Sequence, residues 1–138
     1  MAENRITTVE IGEEGFKSPI SVGPHNFISD EPESVGGTDL GPSPYELLAA
    51  ALGSCTVMTV KMYANLKKWD LKGVKVNVTH RKEEAEDGKS KVDIFSREIQ
   101  FFGDFDEKQH TRMLSIADRC PVHKTLSASS KIETRHIV

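Results

Sequence analysis

The chain opens with short runs in which apolar and polar residues alternate. Between residues 6 and 28 the runs are broken by Gly12-Glu13-Glu14-Gly15 and by Gly23-Pro24, which predicts two or three antiparallel strands joined by tight turns. Residues 30–43 hold Pro32, Gly36, Gly37, Gly41 and Pro42 without periodicity, the pattern of a loop that either links two elements or lines a site. Ser43-Pro44-Tyr45-Glu46 then places serine at an N-cap, proline at the first helical position and glutamate at the third, a capping box that starts a helix. Fourteen residues without a charge follow, 47–60. They are apolar or small on every face, so the helix is expected to be enclosed by protein and to form the centre of the core.

Beyond Asp70, Val74, Val76 and Val78 alternate with Lys75, Asn77 and Thr79, Asp87-Gly88 turns the chain, and residues 92–102 return with Ile99 and Phe101 on one face. The period of two predicts a long hairpin whose charged tip runs over residues 81–91. From Asp106, the positions Met113, Ala117 and Cys120 share one side of a second helix. That helix is expected to end at Cys120, because Pro121 disfavours helical geometry in the residue before it. Residues 127–138, with Ile132 and Thr134 between Lys131, Glu133 and Arg135, read as a final strand. This order contains no repeated strand-helix-strand unit, and it predicts an α+β domain with antiparallel sheets wrapped around the long central helix.

Composition narrows the function. A length of 138 residues suits one globular domain, and a net charge of −3 with acids and bases interspersed offers neither a basic stripe for nucleic acid nor a like-charged tail. The uncharged stretch of fourteen residues falls short of the roughly 20 needed to cross a bilayer, so no membrane partner is expected. Residues 1–5 lack the basic start and apolar run of a secretory signal, which points to a cytoplasmic protein.

Two cysteines, 65 positions apart, are too few for a disulfide scaffold, so any bond between them is expected to be made and broken. Cys55 lies about three turns inside the long helix, among Ala51, Leu52, Met58 and Thr59. One reading makes it a packing residue, since free cysteine is often buried; a reactive Cys55 would need a positive group brought in by the fold, because apolar surroundings raise a thiol's pKa. Cys120, next to Pro121 and three residues before His123, sits where a side chain can face a cleft and an imidazole can favour a thiolate. Cys55, Cys120 and His123 would suffice in number for an open zinc site, but the paired C-x-x-C spacing is missing, and no metal or cofactor is expected. Ser54 has only Gly53 beside it and lacks the glycine pair of a nucleophile elbow.

The segments Gly41-Pro42-Ser43-Pro44-Tyr45-Glu46-Leu47-Leu48, Ala50-Ala51-Leu52-Gly53-Ser54-Cys55 and Arg119-Cys120-Pro121-Val122-His123-Lys124-Thr125-Leu126 resemble the OsmC/Ohr (organic hydroperoxide resistance) family, and the order of elements is similar from residue 6 to 138. The resemblance implies one OsmC-like domain over residues 1–138 and an intertwined homodimer, in which N-terminal strands (residues 4–29) join the partner's sheet and the two long helices pack together. It implies a peroxiredoxin-like hydroperoxide reductase that prefers organic hydroperoxides. A Cys55 thiolate attacks the peroxide to become a sulfenic acid, Cys120 condenses with it, and an external dithiol such as a lipoyl group reopens the disulfide. The family's better-defined branches also hold the reactive thiolate with an N-terminal arginine paired to a glutamate at the start of the long helix. Arg5 is the one arginine before that helix and Glu46 the matching glutamate, with Tyr45 in the neighbouring register and Lys17 and His25 as substitutes for the arginine. At about 100° per residue Glu46 falls opposite Cys55, which assigns it the capping role. The alternative is a redox-responsive protein of the same fold that binds a small apolar ligand and has little peroxidase turnover.

Overall fold

The computed structural model describes residues 4–137; residues 1–3 and 138, and with them the outer bounds of the expected domain and of its final strand, lie outside the described residues. The chain divides into two units, one running through Leu48 and the other from Ala49.

In the first unit, β1 (Thr7–Val9) pairs antiparallel with β2 (Ser18–Val22), and β2 with β3 (His25–Ser29). The register Val22↔His25 leaves a two-residue turn. Gly23 takes the positive φ of 54° that this turn demands, and Pro24 follows with its fixed negative φ. The segment from 30 to 43 is built around the buried carboxylate of Asp30, which accepts hydrogen bonds from Thr38 Oγ1 (2.8 Å) and the backbone N–H groups of Glu31 (2.7 Å) and Leu40 (3.2 Å). It carries one turn of 3-10 helix, Glu33–Val35. The folded-back chain passes so close that a Cβ on Gly37 would collide with the Glu31 carbonyl and one on Gly41 with the Ile28 carbonyl. A stretch that reads as plain loop is therefore an ordered one.

Helix α1 (Pro44–Lys67) begins with the expected capping box. Glu46 N–H donates to Ser43 Oγ at 3.4 Å, and Ser43 N–H donates to Glu46 Oε1 at 2.9 Å. The helix stops in a Schellman turn, with Trp69 N–H on Ala64 O (2.9 Å) and Lys68 N–H on Asn65 O (3.1 Å). Lys68 occupies the left-handed position at φ 58° that glycine usually fills.

In the second unit β4 (Gly73–Glu84) and β5 (Lys91–Phe102) form a two-stranded antiparallel ladder, followed by α2 (Glu107–Ala117) and a short α3 (Pro121–Leu126). Val60 and Ala64 of α1, Leu71, and Met113 and Ala117 of α2 make the core, with Trp69, Val74, Ile99, Phe101 and Phe105 packed against it. Close approach of α1 to β4 is possible because residue 53 is glycine: a Cβ there would stand 3.2 Å from Val76 Cγ1.

Antiparallel sheets and a long helix in a mixed α+β arrangement agree with the expected fold class; several boundaries do not. The hairpin strands run on to Glu84 and restart at Lys91, so the turn is shorter than a tip over 81–91; cross-strand pairs such as Lys82↔Asp93 let charged residues pair across the ladder. The second helix ends at Ala117, not Cys120, and the motif after it forms α3, with Cys120 as N-cap and Pro121 at the first helical position. The final strand is absent among the described residues: beyond Ser127 the chain is irregular and exposed, and its alternating residues pair with neither β4 nor β5. Nor is α1 enclosed on every face. Leu52, Thr56, Val60 and Ala64 are buried, while Met58, Met62 and Leu66 stand more than half exposed. The 24 residues of α1 are long and apolar enough to cross a bilayer by length and composition alone; its buried flank packs instead in the core of the second unit.

Candidate functional site

Cys55 and Cys120 meet. Helix α1 carries Cys55, half-buried, and the bend between α2 and α3 presents Cys120, fully buried, so that the two thiols stand within hydrogen-bonding reach of each other as free cysteines. The backbone positions both sulfurs further. His123 N–H donates to Cys120 Sγ at 3.3 Å as the cap of α3, and the N–H of Val122 is directed at Cys55. Thr59, one turn beyond Cys55, places its Oγ1 at 4.0 Å from that sulfur.

Their environments push the two thiols apart. Burial works against a Cys55 thiolate, but the Val122 N–H, the Cys120 thiol and the Thr59 hydroxyl outweigh it and hold Cys55 below the ordinary thiol value of 9.0. Burial pushes the Cys120 thiol up, the neighbouring Cys55 raises it further, and the His123 N–H and Thr56 hydroxyl only partly offset this. When the pair loses one proton, these contacts favour the form with the charge on Cys55 and the remaining proton on Cys120, directed at Cys55.

A cation stands behind Cys120. Arg97, on β5, donates from Nη1 to Thr56 Oγ1 (3.0 Å) and to the carbonyl of Ala117 (3.1 Å), and from Nη2 to Asp118 Oδ1 (2.7 Å). Thr56 Oγ1 in turn lies 2.7 Å from Leu52 O and 4.0 Å from Cys120 Sγ. Arg97 has the same strand parity as Ile99 and Phe101, so alternation alone put it on the inner face of the sheet, where a charge signals a specific role. That inward-facing charge is the signal for Arg97 that the sequence carries. Beside Arg97 a cavity of about 210 Å³ is lined by Leu52, Phe95, His123 and Leu126 among others.

Of the other sequence candidates, Arg5, Lys17, His25 and Glu46 lie in the first unit and His123 in the second. Arg5 lays its side chain against Gly23, while Lys17 and His25 are exposed. Glu46 sits in its capping box, where the Ser43 N–H and then the Ser43 hydroxyl hold its carboxyl below the usual range. His123 turns its ring toward Asp118, with Nε2 at 3.9 Å from Oδ1. Among the described residues no group of three or more His, Cys, Asp or Glu side chains is placed to hold a metal ion.

A comparison with curated protein sequences finds no match. Solved structures do match in fold. An OsmC-like protein of Mycoplasma pneumoniae superposes with a TM-score of 0.75 at 18% identity, over 92% of this chain and 89% of that one. A Psychrobacter arcticus protein, provisionally named an osmotic stress induced and detoxification response protein, gives 0.75 at 21% over 91% and 90%. The organic hydroperoxide resistance protein OhrB of Bacillus subtilis gives 0.63 at 16% over 88% and 89%. The family model described as OsmC-like protein matches residues 37–135, a span that holds both cysteines and every element from α1 to α3, and the chain therefore belongs to the OsmC-like protein family.

Proposed function

We propose that this protein is a thiol-dependent peroxidase that reduces organic hydroperoxides through Cys55 and Cys120. The observation that carries the proposal is the apposition of two free thiols, Cys55 with the Thr59 hydroxyl at 4.0 Å and the Val122 N–H beside it and Cys120 fully buried, surroundings that favour the thiolate, the nucleophilic form, on Cys55 rather than on Cys120. In the first step the Cys55 thiolate attacks the terminal peroxide oxygen, the O–O bond breaks, and the alkoxide leaves and takes up a proton as the alcohol. Cys55 becomes a sulfenic acid. In the second step Cys120 attacks that sulfur; an S–S bond forms, the S–O bond breaks, and hydroxide departs with the Cys120 proton as water. An external dithiol, of which a lipoyl group is one example, then reduces the disulfide by exchange.

The named neighbours support the substrate class: one is an organic hydroperoxide resistance protein. The exposed apolar flank Met58, Met62 and Leu66 supports a homodimer of OsmC-like domains in which a second copy covers it and the N-terminal strands join the partner's sheet. We place the protein in the cytoplasm, where a reversible disulfide suits the reducing surroundings. Within this scheme Arg5 and Glu46 remain candidates for holding the thiolate, a role distinct from the cap that Glu46 provides.

The test is peroxide consumption with a dithiol reductant. Wild type turns over repeatedly, Cys55→Ser consumes nothing, and Cys120→Ser reacts once. The cavity beside Arg97, which Asp93, His123 and Ser127 line together with Leu52, Phe95 and Leu126, favours one second reading, a redox-responsive binder of a small ligand; such a protein would oxidise once and stop even with both cysteines and reductant present.

A further inference from the structure

We infer that Thr56, held by Arg97, is a positioning residue for the second thiol: its hydroxyl is the hydrogen-bond donor that receives the charge developing on Cys120 when the disulfide closes. This rests on the peroxidase reading above and adds to it a residue pair that prepares the resolving step.

Thr56 is fully buried and has one hydroxyl proton for two acceptors, Leu52 O at 2.7 Å and Cys120 Sγ at 4.0 Å. A helical threonine often bonds the carbonyl four residues back, and that alone would mean nothing. Here the oxygen also accepts from Arg97 Nη1 at 3.0 Å. An ionised donor on the oxygen polarises the O–H and makes it a stronger donor, so the threonine relays part of the guanidinium charge. Arg97 is itself fixed, with its side chain 12% exposed, by Asp118 and by the last carbonyl of α2. It reaches that carbonyl at the negative end of the helix, where a cation is favoured.

The rotor has a different best partner in each state. In the resting pair Cys120 keeps its proton, directed at Cys55, and carries no charge, and the short bond to Leu52 O holds the Thr56 hydroxyl. Once Cys55 is a sulfenic acid it is no longer an anion, and Cys120 must shed its proton to the departing hydroxide as the S–S bond forms and the S–O bond breaks. Negative charge then appears on Cys120 Sγ, and the Thr56 proton swings from the carbonyl to the sulfur with Arg97 behind it. The charged or titratable groups around Cys120 are Cys55 on α1, Arg97 on β5, Asp118 after α2 and His123 on α3. Of these Arg97 is linked to Cys120 Sγ through a buried hydroxyl.

The experiment follows Cys55 sulfenic acid and the disulfide by rapid quench after one equivalent of cumene hydroperoxide, across pH. A hydrogen bond to a developing thiolate should favour closure by about tenfold or more at neutral pH. Thr56→Val should therefore slow closure by that factor, accumulate trappable sulfenic acid, and move the pH midpoint of closure upward. Should that variant fail to fold, Thr56→Ala compared with Thr56→Ser serves instead, because the two differ only in the hydroxyl: serine should restore both rate and midpoint, alanine neither. Arg97→Gln should shift the midpoint in the same direction, and Arg97→Lys should recover part of it. A purely structural role would lower stability without moving the midpoint. Unchanged closure and midpoint in Thr56→Val or Thr56→Ala, with sulfenic acid and disulfide still formed by wild type, overturns this inference and leaves the peroxidase reading standing. Wild type that forms no Cys55 sulfenic acid overturns both.

Discussion

Met113→Ala tests how the core of the second unit holds Cys120 in place. Met113 is completely buried on α2 against Val60, Ala64, Leu71 and Ala117, and α2 ends three residues before the cysteine. Removing a buried methionine side chain costs the transfer energy of the lost atoms and leaves a cavity, together about 2–5 kcal/mol. Two of the four core neighbours are alanines, too small to collapse into the space, so the middle of that range applies, about 3 kcal/mol. With an unfolding entropy of about 2.1 cal/mol/K per residue, a chain of 138 residues converts this into a fall in Tm of about 10 °C. Met113→Leu keeps the volume and should lose less than about 1.5 kcal/mol. Urea unfolding of the reduced proteins, at one fixed concentration because assembly feeds into apparent stability, gives both numbers from the midpoints at constant slope. A loss below about 1 kcal/mol for Met113→Ala, or equal losses for the two variants, would refute the description of this core.

Three further outcomes are expected. Ser43→Ala should cost roughly 0.5–1 kcal/mol, the low end because the Ser43 Oγ bond is long at 3.4 Å, and an unchanged urea midpoint would show that the capping box adds nothing. The Thr38 hydroxyl, opposed by burial and helped by the Glu31 and Leu40 N–H groups, holds the Asp30 carboxyl below its ordinary 3.8. A depressed carboxyl stabilises fully above the unfolded value and loses that contribution as pH falls through the folded one. The stability gap between wild type and Asp30→Asn should thus be constant well above pH 3.8 and shrink below it; parallel curves down to pH 2 would contradict this. Light scattering at micromolar concentration should give a dimer, and Met62→Glu, on the exposed flank of α1, should shift it toward monomer; a folded wild-type monomer would refute the proposed assembly.

What the sequence made legible follows from how local each signal is. The start of α1 was readable because Ser43, Pro44 and Glu46 carry their own hydrogen-bonding logic within four residues. The hairpin was readable from the alternation of Val74, Val76 and Val78. The end of α1 was not, because Lys68 adopts the left-handed position that a glycine would have advertised. Cys120-Pro121 looked like a helix stop when it is equally a helix start, with the sulfur as cap; the residue before a proline is non-helical in both cases, and only the following turn decides. The tail at 128–137 alternates like a strand, yet a strand exists only with a partner to pair with, which local pattern cannot supply. The two cysteines were visible as candidates, whereas most of what distinguishes their surroundings is tertiary: burial, the Val122 N–H at Cys55 and the Thr56 hydroxyl at Cys120 arise once α1 and the α2–α3 bend are brought together, and only the Thr59 contact is local to α1. Arg97 was hidden in plain alternation, its importance visible only when its partners Thr56, Ala117 and Asp118 are seen around it.

The most direct test of the central claim is mass spectrometry of the wild-type protein after one equivalent of an organic hydroperoxide. The account predicts a single intramolecular Cys55–Cys120 disulfide, formed in proportion to peroxide consumed and reversed by a dithiol. Cys120→Ser should instead carry a trappable sulfenic acid on Cys55. A wild-type protein that consumes peroxide without forming this bond, or a Cys55→Ser variant as active as wild type, would contradict it and return Cys55 to the role of a packing residue.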